Sequence, residues 1–142
     1  MWNKRFLGLA TYVASWSKDP STKVGAVIAD SKNRIVSLGF NGFARGVNDD
    51  ERLNNRNTKY AMILHAEENA IMFAGRDLSD CRLYVSGLPP CSHCASFIVQ
   101  SGIKKVYAWK QEIPERWQES FEITKNIFAE SGVDLEFIEK DR

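Results

Sequence analysis

The sequence predicts an α/β fold in which helices cover both faces of a mixed, five-stranded sheet. Short apolar segments rich in β-branched residues alternate with helical segments along the 142 residues, and this order is typical of sheets whose strands are joined by helices. A polar stretch at 30–33 separates two apolar runs and predicts an antiparallel hairpin. We expect only this hairpin to be antiparallel, with the remaining strands largely parallel.

The first half of the chain begins with a predicted helix at 2–17, where apolar residues recur at helical spacing and Pro20 follows. The hairpin strands are predicted at 24–29 and 35–40. Residues 41–59 are polar and rich in Gly and Asn, so they predict a loop. The length of this loop suggests a lid or an interface, and disorder at its tip is the competing interpretation.

The second half alternates regularly. Each predicted helix ends with a glycine or is followed by one, which is typical of a helix end, and two prolines precede the second of them. The predicted helices are 65–75, 91–101 and 115–131, and the predicted strands are 82–86, 105–109 and 133–138.

Composition excludes several classes of protein. The length suits one compact domain, residues 1–142, and a hydrophobic content of 44% argues against disorder. A net charge of +1 gives no broad basic field for nucleic acid, and the first residues lack the long apolar core of a secretory signal or membrane span. Three cysteines, two of them assigned to a metal below, suit a reducing compartment, so we expect a cytoplasmic protein.

Two short motifs carry the chemistry. His65-Ala66-Glu67 is followed by Pro90-Cys91-Ser92-His93-Cys94, the H-x-E and P-C-x-x-C signature of zinc nucleobase deaminases. His65, Cys91 and Cys94 supply three zinc ligands, whereas a structural zinc normally has four protein ligands. The sequence therefore predicts one catalytic Zn²⁺ with a position left for water.

Glu67 has a separate predicted role. Zinc lowers the pKa of a bound water to about 7, and attack of the resulting hydroxide on C4 of cytosine requires protonation of the ring nitrogen and later of the leaving amine. A single carboxyl group can move both protons. We therefore predict Glu67 as the general acid and base.

Single parts of the metal motifs, and the remaining histidine and cysteine, also allow other interpretations. C-x-x-C alone also fits a redox pair or half of a structural zinc site. We interpret His93, inside the C-x-x-C turn, as a solvent-facing side chain, with a ligand role as the alternative. Cys81 is interpreted as a small buried hydrophobic residue.

Beyond the two motifs, the sequence resembles the zinc-dependent cytidine and deoxycytidylate deaminases over most of its length. The metal motif is shared by the whole superfamily, and the flanking segments resemble its nucleotide-specific branch. The segments that carry the resemblance are 13–28 (VASWSKDPSTKVGAVI), 39–42 (GFNG), 65–71 (HAEENAI), 83–86 (LYVS), 90–95 (PCSHCA) and 98–103 (IVQSGI).

The resemblance implies a three-layer α/β/α, cytidine deaminase-like fold and hydrolysis of dCMP to dUMP and ammonia, feeding thymidylate synthesis. It also implies that Asn41 contacts the deoxyribose, although a turn role next to Gly42 is the alternative. The backbone at Ala66 is expected to hold the base. Lys23 and Arg45 are the candidate cations for the 5′-phosphate, and each could instead be an ordinary solvated side chain.

Regulation and assembly follow from the resemblance alone. Many relatives are homohexamers switched on by dCTP and off by dTTP, and a triphosphate effector can bring Mg²⁺. Phe73 and Arg76 lie in a region that packs between subunits in the family. Ala44 and Pro89 depart from the family pattern, and the chain lacks the Cys/His-bearing insertion of some phage members, so we expect no second zinc.

Other functions stay open at this point. A relative could accept dCTP or a 5-substituted dCMP, which would use the same chemistry. A tRNA or single-stranded DNA deaminase would act on a flipped base, and the near-neutral charge argues against it. A non-catalytic zinc module would keep the ligands without needing Glu67.

Overall fold

A central five-stranded sheet organises the protein. The computed structural model describes residues 1–141, and the strand order in the sheet is β2-β1-β5-β6-β7. The strands are β1 Gly25–Asp30, β2 Ile35–Phe40, β5 Cys81–Ser86, β6 Lys105–Trp109 and β7 Asp134–Ile138, and a separate two-stranded sheet pairs β3 Gly42–Phe43 with β4 Ile63–Leu64. The helices are α1 Trp2–Ala14, α2 Arg56–Met62, α3 Ala66–Ala74, α4 Ser92–Ser101 and α5 Glu115–Ser131, with a 3₁₀ helix at Glu51–Asn54.

The predicted mixed sheet is confirmed, with one difference in strand direction. β5, β6 and β7 are parallel to one another, and the β1–β2 hairpin is antiparallel. However, β1 also pairs antiparallel with β5, so the expectation that only the hairpin is antiparallel was wrong. The crossover from β2 to β5 returns the chain in the direction of β2, and β1 lies between these two strands.

The three layers follow from the alternation of side chains along the strands. Val27 and Ala29 of β1 pack against Phe6, Leu7 and Ala10 of α1 on one face. On the other face Ala26 and Ile28 join a core that includes residues of the remaining long helices: Ala66 and Ala70 of α3, Ala95 and Ile98 of α4, and Phe128 of α5. Each fully buried Val, Leu or Ile side chain in these clusters contributes about 1.5–3 kcal/mol. The predicted α/β/α sandwich is confirmed.

Gly39 sets the position of α3 on the sheet. A Cβ at this residue would lie 2.4 Å from the carbonyl oxygen of Ala66 and 2.6 Å from the backbone nitrogen of Ala70. Any side chain here would therefore push the helix outward. The N-terminus of α3, which follows His65, depends on this close contact.

The region 41–59 is more ordered than the sequence predicted. Instead of a continuous loop it contains β3, the 3₁₀ helix and the beginning of α2. Two of its polar residues are helix caps: the Asp50 side chain accepts from Arg52 N–H and the Asn55 side chain accepts from Thr58 N–H. Polar caps and a two-residue strand give no apolar periodicity, so the composition resembled a loop.

None of the helices within residues 1–141 has the length and apolar character that a membrane-spanning helix needs.

Candidate metal centre and active-site cleft

Two helix N-termini bring the predicted metal ligands together. His65 is the N-cap of α3 and Cys91 is the N-cap of α4, one residue earlier than each helix proper. His65 Nδ1 lies 3.5 Å from Cys91 Sγ and 3.2 Å from Cys94 Sγ. The three ligand atoms all lie within 4.8 Å of one another. We call His65, Cys91, Cys94 and the nearby Glu67 the metal cluster.

The spacing of these atoms fits zinc. A tetrahedral ion with Zn–S near 2.3 Å and Zn–N near 2.05 Å separates nitrogen from sulfur by about 3.6 Å, close to the two observed distances. Two cysteines and one histidine are also a donor set that zinc prefers. Within residues 1–141 the group contains three ligands, one fewer than the four protein ligands of a typical structural zinc site.

The three ligands of the metal cluster have strongly shifted pKa values. A hydrogen bond from the Cys94 thiol, together with contact with His65, lowers the pKa of Cys91 to about 4. The same thiol contact and burial raise the pKa of Cys94 far above its usual value. Contact with Cys91 raises the pKa of His65 to about 9, against the effect of burial. Metal ligation requires neutral imidazole and thiolates, so a metal held by these residues would displace protons from His65 and Cys94.

Glu67 is a buried carboxyl group next to these ligands. It lies in the first turn of α3 and is 3% exposed, and with His65 and Cys91 it lines the same cleft. Burial raises the pKa of Glu67 to about 7, and the charge of His65 only partly opposes this. A carboxyl group with such a pKa can both accept and release a proton near neutral pH.

Glu68 holds the backbone at His65, whereas His93 and Cys81 lie outside the group of metal ligands. Glu68 accepts a hydrogen bond from the His65 backbone N–H at 2.9 Å. The His93 side chain is 72% exposed and lies outside the ligand group, in agreement with its interpretation as a solvent-facing residue. Cys81 is buried at the start of β5 as expected, and burial raises its pKa to about 11.

The cleft lined by His65, Glu67 and Cys91 of the metal cluster has a volume of about 220 Å³. Its apolar wall is formed by Val24, Ile63, Leu88, Pro89 and Trp117. This combination of an apolar wall and a few convergent polar groups is typical of a small-molecule site.

A second polar group lines the same cleft. Asp19, 2% exposed, accepts hydrogen bonds through Oδ1 from Ser21 N at 2.9 Å, Thr22 N at 3.1 Å and Lys59 Nζ at 3.2 Å. Its Oδ2 lies 3.4 Å from Asn41 Nδ2, and Lys59, 6% exposed, also donates to Ser21 Oγ at 2.8 Å. We call Asp19, Ser21, Asn41 and Lys59 the Asp19 network.

Electrostatics keep the central carboxylate of this network ionised. Burial alone would raise the pKa of Asp19, but hydrogen bonds from Ser21, Thr22 and Lys59 outweigh it and lower the pKa below its usual value. Charged Asp19 and charged Lys59 are therefore a buried ion pair in the wall of the cleft. The ammonium group has three N–H donors, and two of them have protein partners.

The predicted substrate contacts divide into two groups. Asn41 and Ala66 line the cleft, and the Asn41 amide is already engaged, because it accepts from Val24 N at 2.9 Å and donates to the Thr22 carbonyl at 2.9 Å. One lone pair of Asn41 Oδ1 remains for a ligand. The backbone N–H of Ala66 belongs to the first turn of α3, where no intrahelical acceptor exists.

The structure does not bring Lys23 and Arg45 to the cleft. Lys23 is exposed and its ammonium donates to the Ser17 carbonyl at 2.7 Å, while its neighbours Thr22 and Val24 line the cleft. Arg45 lines a different, mainly apolar depression that also contains Phe43 and Phe73. The cations that do line the cleft are Lys59 and Arg116.

Sequence reasoning missed Asp19, Lys59, Arg116 and Trp117. Asp19 precedes Pro20 after the first predicted helix, and Lys59 lies in the predicted loop at 41–59. Arg116 and Trp117 lie in the predicted helix at 115–131, where nothing local indicates a cleft. No local signal in the sequence distinguishes Lys59 from an exposed lysine, because its burial depends on α2 contacting the segment at 19–21.

Comparison with known proteins identifies the family. Residues 1–110 match the model described as the cytidine and deoxycytidylate deaminase zinc-binding region. The chain belongs to the cytidine and deoxycytidylate deaminase family. This family assignment agrees with the His, Cys and Cys ligand set and with the predicted zinc site.

Relatives within the deaminase family cover nearly the whole chain. It is 48% identical to an uncharacterized deaminase from Aliivibrio fischeri over 142 residues, 99% of this chain and 95% of that protein. It is 38% identical to human deoxycytidylate deaminase over 141 residues, 93% of this chain and 76% of that protein. The dCMP deaminase of cyanophage S-TIM5, solved in apo form, has the same fold, with a TM-score of 0.75 at 22% identity over 96% of each chain.

Proposed function

We propose that this protein is a zinc-dependent deaminase that hydrolyses dCMP to dUMP and ammonia, supplying the precursor of thymidylate, with residues 1–142 acting as one domain. The observation that carries the proposal is the buried Glu67 beside three convergent candidate zinc ligands, two of which, His65 and Cys91, line the same cleft as Glu67. The choice of dCMP is supported by the identity of 38% with human deoxycytidylate deaminase. The dCMP deaminase of cyanophage S-TIM5, which has the same fold, has also been crystallised with dCMP and dUMP.

In this proposal His65, Cys91 and Cys94 hold the metal. Zinc supplies a Lewis acid that makes hydroxide available from water at neutral pH. Glu67 accepts the first proton that water gives up and donates it to N3 of cytosine as the C4–O bond forms. It then accepts the proton of the new C4 hydroxyl group and delivers it to the amino group, so the C4–N bond breaks, ammonia leaves and the C4 carbonyl forms. Water and dCMP are thereby converted to dUMP and ammonia, and Glu67 returns to its starting state.

The rest of the cleft binds the nucleotide in this proposal. The backbone N–H of Ala66 holds the base, and Asn41 contacts the deoxyribose through the free lone pair of Oδ1. Lys59 and Arg116 are proposed as the phosphate cations in place of Lys23 and Arg45. Lys59 has one N–H not used by the Asp19 network, and Arg116 forms no ion pair within residues 1–141. A guanidinium binds phosphate oxygens through two parallel hydrogen bonds.

Assembly and regulation remain predictions of the family resemblance. They comprise a homohexamer, activation by dCTP and inhibition by dTTP with accompanying Mg²⁺, and a cytoplasmic location.

A spectrophotometric assay tests the proposal. The absorbance change of cytosine becoming uracil is followed with dCMP, CMP, dCTP, 5-methyl-dCMP, deoxycytidine and a cytosine-containing oligonucleotide, with and without a zinc chelator. We expect dCMP to give the highest kcat/KM and the chelator to abolish turnover. If the protein prefers dCTP or 5-methyl-dCMP, the proposed substrate is wrong but the chemistry stands. If it acts on the oligonucleotide alone, the substrate is a nucleic acid and not a free nucleotide. A zinc-loaded protein that turns over none of them would be a structural zinc module.

A further inference from the structure

The loop that carries Cys91 is held by side chains of α5. Three hydrogen bonds, each between an α5 side chain and the loop backbone, connect the helix to residues 89, 90 and 92. They join Trp117 Nε1 to the Pro89 carbonyl at 3.1 Å, Thr124 Oγ1 to the Pro90 carbonyl at 2.9 Å, and Ser92 N–H to Ser120 Oγ at 2.9 Å. Their α5 members occur at spacings of three and four residues, which places them on one side of the helix.

These contacts matter because the loop has few other means of anchoring its backbone. Pro89 and Pro90 have no N–H groups, so their carbonyl oxygens are the polar backbone atoms that the protein can hold. Cys91 follows directly, and its sulfur lies 3.5 Å from His65 Nδ1 and within 4.8 Å of Cys94 Sγ. A displacement of the loop by a fraction of an ångström would therefore change the geometry of the ligand set.

Thr124 is the central contact of the three. It is 0% exposed, and Pro90 is buried as well. Removal of the hydroxyl would leave the Pro90 carbonyl without this donor in a place that water does not reach, which is costly. The family model ends at residue 110, so the match to the family assigns no role to α5.

We propose that α5 is a positioning element for the metal site, in which Thr124, Ser120 and Trp117 hold the loop at 89–92 so that Cys91 meets the other two ligands. The inference rests on the proposed zinc site and is independent of the identity of the substrate. Partners that orient metal ligands typically change metal affinity by about 10- to 100-fold when they are removed. Since Thr124 acts through the backbone and two further hydrogen bonds remain, we expect the lower end of this range.

Zinc affinity measured by competition with a chromophoric chelator tests the proposal. Thr124→Val keeps the shape of the side chain and removes the hydroxyl, and we expect its zinc affinity to fall about tenfold. Thr124→Ser restores the hydroxyl and should restore the affinity. Ser131→Ala is the matched control, because its hydroxyl lies on the same helix but bonds to the Ile127 carbonyl at 2.7 Å, and its zinc affinity should equal that of the wild type.

A cobalt-substituted protein provides a spectroscopic reading of the same geometry. The thiolate-to-cobalt absorption bands should change in Thr124→Val and be unchanged in Thr124→Ser and Ser131→Ala. If Thr124→Val lowers the thermal unfolding temperature but binds zinc as tightly as the wild type with an unchanged cobalt spectrum, α5 only stabilises the fold and the proposal is wrong. If the wild type itself fails to bind zinc, the metal site is wrong instead. Should Thr124→Val not fold, Ser120→Ala removes the acceptor of Ser92 N–H, and the same loss of affinity is expected.

Discussion

The metal cluster and the Asp19 network both contribute residues to the same cleft but are built in opposite ways. Every member of the metal cluster belongs to one of two short motifs, and each motif stands at the N-terminus of a helix. The Asp19 network combines residues from the segment after α1, from the end of β2 and from α2. One group is therefore set by local sequence and the other by the packing of distant segments.

This difference has energetic consequences. The positions of the N-caps of α3 and α4 follow from two local helix starts at the same edge of the sheet, and hydrogen bonds from α5 then hold the loop before Cys91. The Asp19 network depends on the pairing of two buried charges, which is strongly destabilised when either partner is removed. We therefore expect substitutions in the metal cluster to affect the reaction, and substitutions in the Asp19 network to affect stability as well as binding.

The largest expected effect is that of Glu67→Gln. The amide cannot accept the proton from water, so kcat should fall by at least about 10²- to 10⁴-fold, while His65, Cys91 and Cys94 still bind zinc. Absorbance assays with dCMP and metal analysis of the purified protein measure the two quantities. Glu130→Gln, an exposed residue of α5, is the control and should be fully active. Substantial turnover by the Glu67 variant would remove this residue from the chemistry.

Lys59→Met should produce the next largest effect, on stability. It leaves the Asp19 carboxylate buried without its cation, so we expect the free energy of unfolding to fall by about 3–5 kcal/mol, measured by urea titration with zinc present. The double variant Asp19→Asn/Lys59→Met should recover part of the loss, because no unpaired charge remains.

The control for Lys59 is a lysine in an exposed ion pair. Lys125 lies 2.7 Å from Glu122 on the surface of α5, and Lys125→Met should change stability by at most about 1 kcal/mol. If Lys59→Met is as stable as Lys125→Met, the buried pair does not support the cleft and the contrast between the two groups disappears.

Arg116→Gln is expected to have the smallest of the three effects, confined to nucleotide binding. Charge-assisted hydrogen bonds contribute about 1.5–3 kcal/mol, so kcat/KM for dCMP should fall roughly ten- to a hundredfold through KM. The rate with deoxycytidine, which has no phosphate, should not change. Arg56→Gln, an exposed arginine outside the cleft, is the matched control. An equal loss with both substrates would show that Arg116 does not recognise the phosphate.

Regular elements were predictable where local signals agreed. The strand at Lys105–Trp109 and the helix at Glu115–Ser131 have the predicted bounds, because a β-branched and aromatic run is followed by Pro114 and later by Gly132. The region at 41–59 was predicted wrongly, since β3 is a strand only through its pairing with β4. The antiparallel pairing of β1 with β5 likewise depends on where a long crossover returns, which no local pattern encodes.

The sequence by itself predicted that the three candidate ligands and Glu67 lie together, because their residue types, spacing and helix-start positions are local properties. It did not determine which cations line the cleft: Lys23 and Arg45 were as plausible as Lys59 and Arg116 when only charge was considered. The tertiary structure decided between them by burying Lys59 against Asp19 and by placing Arg116 on the first turn of α5 beside the cleft. The contact between Thr124 and the loop before Cys91 also depends on long-range packing. The Thr124 hydroxyl lies 34 residues from the Pro90 carbonyl in sequence, and it reaches this carbonyl only when α4 and α5 are packed together.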